Sequence, residues 1–140
     1  MRSYGLALFF LTTFAIALTL ACGSSAQSRL LQSVSISPPT ADAQGSPVQF
    51  TAMGAFNEQP SPVNLVTVNW GACYQNQPTT AVSVSTEGLA QCAAGSAGTY
   101  TVWGWAERNG SCGGSGTVPA NLCGGAGGCQ VTGTAQLTCP

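Results

Sequence analysis

Short runs in which apolar and polar residues alternate recur along most of this chain. Val34 and Ile36 alternate with serines, and Tyr100 and Val102 are separated by a threonine. A period of two places one set of side chains in a core and the other in solvent, as in strands with one buried face. Further short apolar runs of this kind occupy 48–52, 66–70, 82–84, 89–92 and 131–137.

Turn-forming residues separate these runs, and no helical period with caps appears beyond the first 21 residues. Seven short strands at this spacing predict an all-β, two-sheet sandwich. A core of this size gains from cross-linking by disulfides. The turn-forming segments are 38–39, 44–47, 60–62, 87–88 and 95–98.

The order of several short segments along the chain is similar to that of a known domain family. The segments concerned are 33–38, 48–52, 68–70, 82–85, 88–90, 98–102 and 133–139, with Gly45 between the first two. Together they resemble bacterial immunoglobulin-like domains of group 2, over a domain that we place at 33–140. A Gly/Cys-rich insertion at 107–129, before the last strand, departs from that pattern. The resemblance implies an immunoglobulin-like sandwich that serves as an extracytoplasmic structural or adhesive module and has no shared catalytic site.

The N-terminus has the features of an export signal. Arg2 precedes an apolar run from Leu6 to Leu20, and small or polar residues follow, which favours a cleaved signal peptide at 1–21. Residues 18–22 resemble a bacterial lipobox, which implies lipidation of Cys22 and a membrane anchor. Cleavage after Ala26 is the alternative and would give a soluble, secreted protein. Residues 22–32 are predicted to form a flexible tether.

The cysteine count fits an exported protein. Of seven cysteines, six remain once Cys22 is assigned to the anchor, and an even number in an exported chain predicts disulfides. A zinc site is disfavoured, because the spacings lack paired C-x-x-C ligands and the chain has no histidine. The six are Cys73, Cys92, Cys112, Cys123, Cys129 and Cys139.

Strand topology constrains how these cysteines pair. Cys92 and Cys139 end two strands at the same pole of the predicted sandwich, so their pairing is the first expectation. A second bridge is expected inside the insertion, from Cys112 to Cys123 or Cys129. Cys129 and Cys139 flank a strand of about 33 Å and cannot pair with each other. Cys73 is then left without a partner at its pole of the sandwich. It can pair only if the insertion, which starts at the opposite pole, folds back toward it.

The scarcity of charge excludes several functions. The chain has three arginines, four acids and no lysine or histidine, so it has no basic cluster for nucleic acid. A nucleophile would have only carboxylates as a base, and no catalytic residue, cofactor or metal site is predicted. The four acids, Asp42, Glu58, Glu87 and Glu107, are scattered along the sequence.

Two tryptophans are the candidate binding residues. If Tyr100 and Val102 point inward, Trp103 and Trp105 lie side by side on the outer face, where indoles could contact an envelope glycan or a protein partner. The competing expectation is that the 107–129 insertion covers them. The sequence therefore favours a non-enzymatic envelope lipoprotein with a structural, adhesive or binding role. The alternative is a small secreted enzyme or inhibitor that uses this loop, with Glu87 or Glu107 as the essential group.

Overall fold

The computed structural model describes residues 29–65, 67–108, 123 and 129–140. The described chain is all-β. Its strands are β1 (Leu31–Ser37), β2 (Thr40–Asp42), β3 (Val48–Gln49), β4 (Thr51–Phe56), β5 (Val63–Asn64), β6 (Asn69–Tyr74), β7 (Gln77–Pro78), β8 (Val82–Val84), β9 (Leu89–Cys92), β10 (Gly98–Glu107) and β11 (Gln130–Cys139).

The strands form three hydrogen-bonded sheets. The largest has the order β2-β11-β10-β6-β7, and the two smaller ones have the orders β1-β4-β5 and β3-β9-β8. Only Phe50 separates β3 from β4, so the chain passes directly from one small sheet into the other. Neighbouring strands are antiparallel, except that β2 runs parallel to β11.

The main core lies between the largest sheet and the two smaller ones. Phe50 and Ala90 come from one side of it, and Val102 and Leu137 from the other, and all four are fully buried. A second cluster, which contains Leu31, extends the core along the sheets. Apolar side chains from opposing sheets therefore pack together, and the all-β arrangement is sandwich-like.

The β10–β11 pair confirms the predicted alternation. The two strands pair over ten residues each, from Gly98 opposite Cys139 to Glu107 opposite Gln130. Their inward positions are buried, as the period of two requires. The buried residues at these positions include Tyr100, Val102, Val131, Ala135 and Leu137.

The strand count and one strand position differ from the prediction. Eleven strands, rather than seven, occur in the described residues, because β2, β5 and β7 are too short to show alternation and the run at 48–52 is divided at Phe50. The strand predicted at 66–70 begins later, at Asn69. Pairing with β10 sets its extent, from Asn69 opposite Trp105 to Cys73 opposite Thr101.

The fold also begins before the predicted boundary at residue 33. Leu31 is buried in β1, and its N–H donates to the carbonyl oxygen of Arg108 at 2.7 Å. The guanidinium carbon of Arg29 lies 3.9 Å from the centroid of the Phe56 ring. The predicted tether at 22–32 is therefore too long at its C-terminal end. The predicted signal peptide and Cys22 lie outside the described residues.

The predicted insertion at 107–129 falls between the last two strands of the fold. β10 ends at Glu107 and β11 begins at Gln130, and the N–H of Arg108 donates to the carbonyl oxygen of Cys129 at 3.0 Å. Most of the insertion lies outside the described residues. Within the described part of the chain, no helix is long and apolar enough to cross a membrane.

Candidate functional site

A disulfide joins Cys92 to Cys139, as predicted. Cys92 ends β9 in a small sheet, and Cys139 ends β11 in the largest sheet, with 5.9 Å between their Cα atoms. The bond therefore cross-links opposite sides of the core at one end of the molecule. Cys139 belongs to the main core cluster, and Cys92 packs against that cluster.

A second disulfide joins Cys73 to Cys123, with 5.7 Å between their Cα atoms. Cys73 lies opposite Thr101, six positions along β10 from Glu107, where the insertion starts, or about 20 Å away. The bond therefore places Cys123 back along the sheet, beside Cys73, as the pairing of Cys73 required. The predicted alternative of a bridge from Cys112 to Cys123 is wrong, because Cys123 is already paired.

Cys129 is also disulfide-bonded. The remaining predicted bridge, from Cys112 to Cys129, involves a residue outside the described part of the chain. Because the other four cysteines of the domain are paired with one another, Cys112–Cys129 stays our prediction for the third bridge.

The two candidate tryptophans face away from the main core, but they are not an exposed platform. Trp103 and Trp105 alternate with the buried Val102 along β10, which places them on the outer face of the largest sheet. Trp105 is only 4% exposed, and Trp103 is partly buried. Cys73 lies on the same face, because it pairs with Thr101. Its bond holds Cys123 on the face that carries both indoles.

Tryptophan and glycine occupy reciprocal positions on β6 and β10. Trp103 lies opposite Gly71, and Trp70 lies opposite Gly104. A Cβ atom at Gly71 would lie 2.2 Å from Cζ2 of Trp103, and one at Gly104 would lie 3.1 Å from Cε3 of Trp70. Each indole therefore covers a glycine of the neighbouring strand, one on each face of the sheet.

The Gly71→Ala substitution should displace the Trp103 indole. We expect it to lower the free energy of unfolding by about 1–3 kcal/mol, because an added methyl group overlaps the ring. Denaturant unfolding of Gly71→Ala in the wild-type and Trp103→Ala backgrounds measures the effect. In the Trp103→Ala background the added methyl group should change the free energy of unfolding only slightly, because the indole that it would overlap is absent. An equal cost in both backgrounds would show that this contact does not set the packing.

All three tryptophans line an open cleft of about 220 Å³, Trp70 from one face of the largest sheet and Trp103 and Trp105 from the other, and we call it the tryptophan cleft. It lies where the start of β6 meets the end of β8 and the turn that follows. Its lining has no charged residue. The lining residues are Val68, Asn69, Trp70, Val84, Ser85, Thr86, Trp103 and Trp105.

Four buried polar atoms on or beside this face have no hydrogen-bond partner. They are the indole nitrogens of Trp103 and Trp105, Oε1 of Gln130 and Oγ1 of Thr132. Thr132 lies directly opposite Trp105 on β11, so the outer face at this end of the β10–β11 pair carries the whole group. Buried polar groups without partners carry a free-energy penalty, and among the described side chains they cluster on this face.

The candidate carboxylates are not gathered into one site. Glu87 lines a cleft with Phe50 and Trp70, whereas Glu107 lines another with Leu31 and Phe56. In the described part of the chain, no three of the residues histidine, cysteine, aspartate and glutamate are grouped so as to hold a metal ion.

The sequence singled out Trp103 and Trp105 as candidate binding residues. It gave no sign that Asn69 and Thr86 line the same cleft. Trp70 was assigned to the core alone. Trp70 does pack against both core clusters, as predicted, but its indole also reaches the cleft. The three tryptophans were a visible signal. Their convergence depends on the β6–β10 register, which alternation does not specify.

The fold and the site define a disulfide-containing all-β domain with an aromatic cleft. Comparison with protein-family models and with curated proteins finds no match to this chain.

Proposed function

We propose that the protein is a non-enzymatic lipoprotein of the bacterial cell envelope that displays an immunoglobulin-like domain as a structural, adhesive or binding module. The observation that carries the proposal is the pair of disulfides, Cys73–Cys123 and Cys92–Cys139. Such bonds form and persist in oxidising compartments outside the cytoplasm. They fit the export signal and the lipobox at Cys22.

Strand order supports the immunoglobulin-like part of the proposal. In one layer, β1 pairs with β4, and β3, which leads into β4, pairs with β9 and through it with β8. In the other layer, β11, β10 and β6 are neighbours. Numbered along the chain, this order is similar to that of an immunoglobulin sandwich, with β2 added beside the last strand, and the similarity supports the proposal.

The proposed binding role rests on the cleft lined by three tryptophans. Glu87 and Glu107 line separate clefts, whereas three indoles line a single one. Aromatic side chains supply a large contact area with few rotatable bonds, which suits recognition. Rigid cross-linked sheets would hold this surface in place at the membrane.

Metabolic labelling tests the anchor. In a bacterial host supplied with an alkyne analogue of palmitate, the wild-type chain should become labelled, because Cys22 receives the acyl chains. Cys22→Ala should abolish the label, whereas the neighbouring change Ser24→Ala should keep it. A wild-type chain that is exported without any label would refute the lipoprotein assignment.

A further inference from the structure

The chemistry of the tryptophan cleft points to a ligand with one apolar face. Trp70, Trp103 and Trp105 all line it, and their flat rings have apolar faces with a polar N–H at the edge. Such rings pack well against a flat stack of C–H groups. A pyranose ring presents such a face, with its hydroxyl groups directed around the perimeter.

Polar side chains are available to meet those hydroxyl groups. Asn69 and Thr86 are exposed, and their side chains make no hydrogen bond within the described part of the chain. Oγ of Ser85 already accepts the N–H of Leu89 at 3.1 Å, which fixes its position, and its own proton remains free to donate. The cleft thus has donors and acceptors beside its aromatic lining.

The absence of charged residues from the lining of the cleft narrows the class of ligand further. No arginine or carboxylate lines the tryptophan cleft, so an anionic ligand would find no counter-charge there. A quaternary ammonium ligand would meet the indoles but no acidic group in the lining itself. The nearest described carboxylate along the chain, that of Glu87, lines an adjoining cleft that shares Trp70 and Thr86 with this one. An uncharged ligand with hydroxyl groups fits this lining best.

The unpartnered indole nitrogens add an energetic reason for binding. The N–H groups of Trp103 and Trp105 are buried without an acceptor, and Trp105 is more than nine-tenths buried. An indole that turns toward the cleft would exchange an unpartnered N–H for one that a hydroxyl oxygen accepts. A bound ligand would then relieve the desolvation penalty of these groups.

We infer that the tryptophan cleft is a binding site for a single ring of a neutral glycan. This inference rests on the proposed function, because it names the ligand class of the envelope module. A cleft of about 220 Å³ suits one sugar ring rather than several, so the rest of a polysaccharide would extend beyond it.

Calorimetry and tryptophan fluorescence with the detergent-solubilised full chain test the inference. The probes are maltohexaose, cellohexaose and chitohexaose as neutral oligosaccharides, polygalacturonate as the anion and choline as the cation. At least one neutral oligosaccharide should bind and change the indole fluorescence, and neither charged probe should bind as tightly. Failure of all three neutral probes, or tighter binding of either charged probe, would overturn the inference.

Variants locate the binding at the cleft. Asn69→Ala combined with Thr86→Ala should weaken the neutral oligosaccharide about tenfold, because two exposed hydrogen-bonding side chains are lost without disturbing the core. Trp103→Ala should weaken it at least as much. Tyr74→Ala is the matched control, since Tyr74 is an aromatic residue on β6 that is 43% exposed and lies outside the cleft. Affinity unchanged by the first two variants would place the sugar elsewhere and overturn the assignment.

The two proposals can fail separately. If the chain is labelled with lipid but binds none of the neutral probes, the glycan inference is wrong and the envelope assignment stands. If the chain binds a neutral glycan through the cleft but carries no lipid, the binding site stands and the lipid anchor is wrong.

Discussion

Replacing Cys92 and Cys139 together by serine is expected to lower the free energy of unfolding by about 4 kcal/mol. The bond closes a loop between residues 47 positions apart, and its loss frees that loop in the unfolded chain. The bond also connects strands on opposite sides of the core, so no neighbouring hydrogen-bond ladder replaces it. Equilibrium unfolding in urea without reductant measures the change.

The paired substitution is preferable to a single one, because a lone thiol could exchange with the remaining disulfides. Thr138→Ser is the control, since it changes an exposed residue next to Cys139 and should shift stability by less than about 0.5 kcal/mol. A loss below about 1 kcal/mol in the double variant would mean that the sheets are held together without this bond.

The second large effect is expected at Phe50. Its side chain is fully buried, and it is the single residue between β3 and β4, where the two smaller sheets meet. Its N–H donates to the carbonyl oxygen of Gly88 at 2.9 Å, which ties this point to the β8–β9 turn. Phe50→Ala should cost about 3–5 kcal/mol, because a large cavity opens in the main core.

Leu89 provides the matched control for Phe50. It begins β9, opposite Gln49 on β3, but its side chain is 43% exposed. Leu89→Ala should therefore cost much less than Phe50→Ala in the same urea titration. Equal losses at the two positions would contradict the placement of the core between the sheets.

Alternation predicted the regular part of the fold. The inward positions of β10 and β11 were identifiable because both strands are long and keep a strict period of two. The Cys92–Cys139 bridge was also predictable, since antiparallel topology places those strand ends at one pole. Short strands such as β2, β5 and β7 were missed, because two or three residues cannot display a period.

The site was less predictable than the fold. A period of two assigns a residue to a face but does not say which residue lies opposite it on the next strand. The pairing of Trp103 with Gly71 and of Trp70 with Gly104 could not be derived for that reason. The partner of Cys73 depended on the path of a long insertion, where chain entropy and glycine content leave many paths open.

The most direct test of an anchored, cross-linked envelope domain is a tryptic digest of the denatured, unreduced protein from bacterial membranes, read by mass spectrometry. Beyond the export segment the only tryptic sites are Arg29 and Arg108. We expect an N-terminal peptide that begins at an acylated Cys22 and ends at Arg29. The fragments 30–108 and 109–140 should separate only after reduction, because both described disulfides join them. An unmodified peptide that begins at Gln27, or fragments that separate without reductant, would contradict the account.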